Sequence, residues 1–247
     1  MIEQFGFNKI FIVQSIPETE RQTGYEIESV IKILAINNDV SVELIDVNSA
    51  EGFLSALEKI AQAPTTTFPY IHIESHGDKI GLYAANGDLI QWERLKIALL
   101  LINKRCKNNL FISVAACYGA HLIKIIRPWE PCPLNSYIGP EKEESPFDLE
   151  VSYTEFFRTL INEHSLTLAL KKLPRGFAFI NYRGYFEMLI NNHKENPSIR
   201  DEVHTRTRAA LKLIDSTRNV SDEEIDQFEK TLFEEMRTVY FSIANHH

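Results

Sequence analysis

A histidine and a cysteine occupy positions at which they could form a nucleophile–base pair. His76 ends an apolar segment that begins at Tyr70, and Cys117 ends an apolar segment that begins at Phe111. A cysteine attacks as its thiolate, and a nearby imidazolium lowers the thiol pKa well below the value of about 8.5 of a free cysteine. The two residues therefore predict nucleophilic catalysis by a thiol with an imidazole as its base.

A glycine accompanies each of the two residues. Gly77 follows His76 directly, and Gly119 lies two positions after Cys117. Glycine lets a backbone turn sharply and approach a substrate closely. Free amides at such turns stabilise the oxyanion of a tetrahedral intermediate by about 3–4 kcal/mol per donor. An oxyanion hole is therefore expected beside the thiol.

The chain around this pair alternates between strand and helix patterns. An Asn-Gly pair at 86–87 indicates a two-residue hairpin turn. Strands are predicted at residues 9–14, 41–47, 69–75, 110–114, 136–139 and 177–182, and helices at 25–36, 50–62, 92–104, 119–126 and 147–172, the last broken near 163–165. Such alternation predicts an α/β fold with a mainly parallel sheet covered on both faces. Catalytic groups gather past the carboxyl ends of parallel strands, where His76 and Cys117 stand.

The pattern changes after Tyr185. Helical spacing of apolar residues returns at 198–213 and 225–243, and residues 221–224 have the S-x-x-E form of a capping box. We therefore predict a domain formed by residues 1–190 and a helical extension formed by residues 191–247. The extension is expected to pack on the domain or to bind a partner protein.

Composition argues against several classes of function, although a local basic patch is not excluded. The 247 residues carry a formal charge of −8, which disfavours nucleic-acid binding through overall charge. No stretch approaches the 18 apolar residues of a membrane span, and the longest apolar run, residues 97–102, indicates a buried helix. No secretory signal is visible at the start of the chain. The expected protein is cytoplasmic, with no membrane and no nucleic acid among its partners.

No metal or cofactor is predicted. The three cysteines, Cys106, Cys117 and Cys132, lack the C-x-x-C spacing of zinc sites and do not suggest a disulfide framework. His72 and Glu74 share a strand face with His76, and could form a metal site or orient the imidazole. An ordinary polar stripe at the end of the sheet is the favoured interpretation of these two residues.

The two motifs resemble those of the caspase superfamily of cysteine peptidases. Residues 75–77 (Ser-His-Gly) and 116–119 (Ala-Cys-Tyr-Gly) each follow an apolar strand, and the histidine and cysteine are 41 residues apart. The caspase signature Q-A-C-[RQG]-G is matched at three positions, with Ala115 and Tyr118 departing from it. Residues 113–119 are more similar to the Ser-Ala-Cys-Glu-Thr-Gly pattern of the bacterial CHAT branch. The resemblance covers residues 8–185.

The resemblance implies a caspase-like three-layer sandwich with a mostly parallel six-stranded central sheet. It also implies a cysteine endopeptidase that cleaves a protein or peptide substrate without a cofactor. Cys117 would attack the scissile carbonyl, His76 would serve as general acid and base, and the amides of Gly77 and Cys117 would form the oxyanion hole. Members of the family are often inactive until a partner, a ligand or cleavage orders the loops around the cleft.

Two positions bear on substrate preference. Ala115 stands where metacaspases carry an acidic residue for basic P1 side chains, so a basic preference is not supported by that route. Arg21 stands after the first strand, where caspases have an arginine that binds a P1 aspartate. A solvated loop charge is the alternative role of Arg21.

Two other functions remain open at the level of sequence. The chain could be a catalytically silent caspase-like scaffold whose C-terminal helices bind a regulatory or partner protein. It could also be a Rossmann-like ligand-binding domain, but residues 77–81 lack the spacing of a glycine-rich phosphate loop.

Overall fold

The computed structural model describes residues 6–36, 38–127 and 130–182, together with residues 184, 201, 204, 205, 208, 221–227 and 230. The chain divides into two compact units, residues 1–182 and 183–247. Most of the predicted helical extension, residues 191–247, lies outside the described residues. At residues 221–224 the predicted capping box forms, because the Glu224 amide donates to the Ser221 hydroxyl and the Ser221 amide donates to the Glu224 carboxylate.

The described part of residues 1–182 contains eight strands and five α-helices. The strands are β1 (Lys9–Ser15), β2 (Ser41–Asp46), β3 (Pro69–Gly77), β4 (Gly81–Tyr83), β5 (Leu89–Gln91), β6 (Phe111–Ala115), β7 (Ser136–Pro140) and β8 (Phe177–Asn181). The helices are α1 (Thr23–Ala35), α2 (Ala50–Ala61), α3 (Trp92–Arg105), α4 (Pro146–Glu163) and α5 (Leu166–Leu170), with a 3₁₀ helix at Gly119–Ile125. The helical pattern of 147–172 breaks at His164, as predicted, because this residue is left-handed with φ 48°.

Six strands form the central sheet in the order β2-β1-β3-β6-β7-β8. All neighbours are parallel except β8, which runs antiparallel to β7. The hairpin of β4 and β5 is joined to the end of β3. The prediction of an α/β fold with a mostly parallel six-stranded sheet is therefore confirmed.

Helices cover both faces of the sheet. Side chains of α1 and α4 share one apolar core with alternate residues of β1, β3 and β6; its members include Ile12, Ile31, Tyr70, Phe111 and Phe157. Helices α2 and α3 contact each other, and α2 packs on β1. The result is a sandwich of three layers. Among the described helices, none combines the length and the apolar character needed to cross a bilayer.

The hairpin turn is longer than predicted. Five residues, 84–88, connect β4 and β5; the Ala84 amide donates to the Asp88 carbonyl, and the Gly87 amide donates to the Ala84 carbonyl. Gly87 has φ 88°, a conformation that glycine adopts without strain. The Asn86 side chain accepts a hydrogen bond from the Asp88 amide. The Asn-Gly pair thus lies within a longer turn and does not form a two-residue turn.

Two helix predictions also need correction. Residues 119–125 form a 3₁₀ helix and not an α-helix. The apolar run at 97–102 lies in α3, but Ile97 and Leu101 are 72% and 52% exposed. Leu99 and Ile102 are buried on the other face of the helix. The helix therefore buries one face and exposes the other, because a continuous apolar run extends around the helix beyond the face that packs on the core.

Buried tyrosines predict a loss of stability in alkali. Burial raises the pKa of Tyr70 and Tyr153 above the ordinary value near 10. Above pH 10 the unfolded chain loses these two protons while the folded chain keeps them. The free energy of unfolding should therefore fall by about 1.4 kcal/mol per pH unit for each tyrosine. Urea unfolding of the wild type and of Tyr153→Phe between pH 9.5 and 11 measures the slope, which should be shallower in the variant. Equal slopes would contradict the assignment.

Candidate active site

The pairing of β3 with β6 ends two residues before each of the two candidate residues. The strands are parallel, with His72 opposite Ser113 and Glu74 opposite Ala115. Both pairs are 41 residues apart in sequence, as are His76 and Cys117. The register ends at the Glu74–Ala115 pair: Cys117 lies two residues beyond the end of β6, and His76 pairs with Tyr83 of β4.

The ends of the two strands touch at Gly77. A Cβ atom placed on this glycine would lie 2.7 Å from the Cys117 carbonyl oxygen and 3.0 Å from the Ala116 Cβ. The first distance is too short for a real side chain, so the close approach of the two backbones requires glycine. A close approach to a substrate was expected at Gly77; in the structure, this glycine approaches the backbone of Cys117.

His76 contacts a glutamate that the sequence analysis did not single out. Its Nε2 atom lies 2.8 Å from Oε2 of Glu20, and the two side chains are 46% and 45% exposed. Glu20 belongs to the segment between β1 and α1, and 56 residues separate it from His76. One acidic residue in an exposed loop carries no sequence pattern that would have marked it.

Cys117 contacts the loop that follows β7. The thiol is half-buried, and its Sγ atom lies 3.6 Å from the carbonyl oxygen of Glu144. Between the two described side chains of His76 and Cys117, no hydrogen bond is present. In this structure the imidazole and the thiol therefore have separate partners, although the sheet brings their backbones together.

The sharp turn after the thiol occurs at Tyr118 and not at Gly119. Tyr118 has φ 58° and ψ 25°, a left-handed conformation that costs a residue with a side chain about 1–2 kcal/mol. Such residues cluster at functional sites. A Cβ on Gly119 would lie 2.9 Å from the Val114 carbonyl oxygen, so this glycine serves a close approach. The Tyr118 amide donates to the Lys142 carbonyl, which holds the turn.

Two lysines lie near this turn. The Lys79 Nζ atom lies 5.2 Å from the centre of the Tyr118 ring, and the Lys124 ammonium donates to the Lys79 carbonyl. His121 packs edge-on against Tyr118. Burial, with smaller contributions from Lys124 and Lys79, lowers the pKa of His121. The neutral imidazole is therefore favoured at this position.

Arg21 is engaged by a carboxylate. Its Nε and Nη2 atoms lie 2.6 and 2.9 Å from the two carboxylate oxygens of Glu150 in α4. The guanidinium also lies 5.8 Å from the centre of the Phe147 ring. The hydrogen bond and charge of Glu150 raise the pKa of Arg21. The predicted substrate-binding residue is thus paired with its own chain here.

His72 and Glu74, which precede His76 on β3, belong to a buried hydrogen-bond network. His72 Nδ1 lies 2.6 Å from the Ser113 hydroxyl, and His72 Nε2 lies 2.7 Å from Glu74 Oε1. The Thr23 hydroxyl, in the first turn of α1, donates to the second oxygen of Glu74. The network joins β3, β6 and α1. Within the described part of the chain, no cluster of three histidine, cysteine or acidic side chains could hold a metal ion.

The other two cysteines are poor nucleophiles. Burial raises the pKa of Cys106, and raises the pKa of Cys132 to about 12. Both thiols donate to nearby carbonyls, those of Ile102 and Leu134. All three cysteines are free thiols. Alkylation of the folded chain should therefore discriminate Cys117 from Cys106 and Cys132.

The architecture is similar to that of a known peptidase. A search of solved structures finds the crystal structure of the Drosophila initiator caspase Dronc, with a TM-score of 0.52 and 12% sequence identity over 71% of this chain and 80% of that chain. The fold is caspase-like. At this identity the likeness shows the fold alone, and it does not support the predicted CHAT branch. No protein-family model matches the sequence, and no curated protein matches it.

Proposed function

We propose that this chain is a cysteine peptidase in which Cys117 is the nucleophile and His76 the general base and acid. One observation carries the proposal: past the paired parts of β3 and β6, in a caspase-like sheet, the backbone of Gly77, which follows His76, lies against the backbone of Cys117. This edge of a parallel sheet is where α/β proteins place catalytic groups.

The reaction would follow the usual course of thiol catalysis. His76 accepts the thiol proton, and the Cys117 thiolate attacks the carbonyl carbon of the scissile peptide bond. His76 then donates the proton to the leaving amine as the C–N bond breaks, which leaves an acyl group on Cys117. A water molecule, deprotonated by His76, attacks this thioester; the C–S bond breaks, the acid product leaves, and the Cys117 thiolate takes the proton back from His76.

The negative oxygen formed during attack needs hydrogen-bond donors. The amides of Tyr118 and Gly119 already donate to the carbonyls of Lys142 and Ala116. We therefore assign the oxyanion hole to the amides of Gly77 and Cys117, whose backbones lie against each other.

Two contacts would have to change before substrate binds. The Cys117 thiol would leave the carbonyl of Glu144, and the imidazole of His76 would take its place beside the sulfur. If Arg21 binds substrate, it would first separate from Glu150. These contacts support a peptidase that is activated by a partner, a ligand or cleavage. The helical patterns of residues 198–243 make the C-terminal extension the proposed binding region for a regulatory protein.

The rate of Cys117 alkylation tests the proposed pair. With Cys106 and Cys132 both replaced by alanine, iodoacetamide labels Cys117 alone. At pH 6.5, His76→Ala should slow labelling at least about tenfold, because the imidazolium stabilises the reactive thiolate. The control is His121→Ala, which removes a neighbouring imidazole that the mechanism does not use and should leave the rate within twofold. Equal rates in wild type and His76→Ala would contradict the proposal.

A silent scaffold is the second candidate function. It is favoured by the separate hydrogen-bond partners of the thiol and the imidazole. A scaffold would bind a partner protein stably, would turn over no substrate, and would show no dependence of Cys117 labelling on His76.

A further inference from the structure

We propose that Glu20 is a positioning residue for His76, which it holds in the tautomer and orientation required for proton transfer with Cys117. This inference rests on the proposed peptidase function. It adds a third side chain, from the loop after β1, to the proposed pair.

The contact between Glu20 and His76 determines which nitrogen of the imidazole carries the proton. A carboxylate only accepts hydrogen bonds, so the Nε2 atom that lies 2.8 Å from Glu20 Oε2 must carry the hydrogen. The neutral ring then keeps its lone pair on Nδ1. A carboxylate bound to one nitrogen thereby makes the other nitrogen the base, as acidic partners do for histidines that bind metals.

The loop around Glu20 is held in place by hydrogen bonds. The Glu20 amide donates to the Pro17 carbonyl, and the Gln22 side chain donates to the carbonyls of Pro17 and Glu20. The side chain of Gln14, in β1, donates to that of Gln22. Because β1 is the parallel neighbour of β3, the loop after β1 lies beside the end of β3, where His76 stands.

The negative charge of Glu20 acts on the imidazole and is not neutralised by the neighbouring arginine. The adjacent cation, Arg21, is committed to both oxygens of Glu150. Glu20 has His76 as its ion-pair partner within the described part of the chain. Since both side chains are nearly half exposed, solvent weakens the contact, and its removal should change the rate of Cys117 alkylation by a small factor, about twofold to fivefold.

Alkylation of Cys117 measures this effect in the full chain with Cys106 and Cys132 replaced by alanine. At pH 6.5, Glu20→Gln should slow labelling by iodoacetamide about twofold to fivefold, and Glu20→Asp should restore part of the loss. The matched control is Glu18→Gln, the same chemical change two residues earlier in the same exposed loop, which should leave the rate unchanged. In a His76→Ala background, Glu20→Gln should have no effect, because Glu20 acts through the imidazole.

Nitrogen-15 NMR of the histidine rings provides a readout that fold stability alone would not move. The His76 signals are assigned by their loss in His76→Ala. At a pH high enough for the ring to be neutral, they should show the proton on Nε2. In Glu20→Ala, the ring should become a mixture of the two tautomers. An unchanged tautomer in Glu20→Ala would overturn the inference.

The alkylation outcomes separate this inference from the proposed function. If His76→Ala slows labelling but Glu20→Gln matches Glu18→Gln, the pair stands and Glu20 has no positioning role. If Glu20→Gln speeds labelling, Glu20 holds the imidazole away from the thiol, and the inference is wrong. If His76→Ala has no effect, the proposed function fails, and a positioning role for catalysis fails with it.

Discussion

Cys117→Ala is expected to abolish peptide-bond cleavage by this chain, with a loss of at least about a thousandfold. The nucleophile provides the covalent step, and the oxyanion donors that remain cannot replace it. The measurement is the appearance of new amino termini, identified by mass spectrometry, after incubation of the chain with a proteome extract. The same data would give the residue preferred before the cleaved bond, and hence test a role for Arg21.

Cys132→Ala is the matched control for this experiment. It makes the same chemical change at a thiol whose burial raises its pKa to about 12, and it should retain the cleavage pattern of the wild type. Cleavage by Cys117→Ala at the wild-type rate would disprove the role of the thiol. A wild type that yields no new termini, even after Cys117 is shown to label rapidly, would favour the scaffold function.

His72→Asn is expected to lower the free energy of unfolding by about 3 kcal/mol. His72 and Glu74 are 0% and 1% exposed, and the imidazole is hydrogen-bonded on both nitrogens. The shorter amide cannot reach both Ser113 and Glu74, so a buried polar group loses its partner. Breaking one member of a buried pair costs about 3–5 kcal/mol. Urea unfolding followed by circular dichroism measures the change.

The same substitution at His164 provides the control. His164 is exposed at the end of α4 and has φ 48°, a conformation that asparagine tolerates. His164→Asn should therefore change the free energy of unfolding by less than about 0.5 kcal/mol. Similar losses in the two variants would mean that the buried network contributes little.

The buried network has a consequence for the site. Ser113 and His72 are register partners, and their side-chain hydrogen bond lies four residues before Cys117 and His76 in the sequence. A slip of one residue between β3 and β6 would break this bond and would shift the segment that carries Cys117 relative to His76. The polar pair thus favours the observed register of β3 and β6.

The sequence by itself determined the strands and most of the helices, and it predicted the candidate pair. Strands and helices of this chain bury continuous or periodic apolar segments, and that periodicity is a local property which can be seen without the fold. His76 and Cys117 were found in the same way, because each comes at the end of an apolar segment and is followed by a glycine one or two positions later. The hairpin was also found, although the length of its turn depended on how Ala84, Gly87 and Asp88 share hydrogen bonds.

The tertiary structure alone decided which side chains meet around the pair. Glu20 reaches His76 across 56 residues, and Glu150 reaches Arg21 across 129 residues. The carbonyl of Glu144 reaches the Cys117 thiol from the loop after β7. Each contact joins loops that neighbouring strands or helices bring together, and polar loop residues carry no periodic pattern that predicts their partners. The order of strands in the sheet, which places β1 and β6 on either side of β3, is the physical reason that these distant residues meet at one edge.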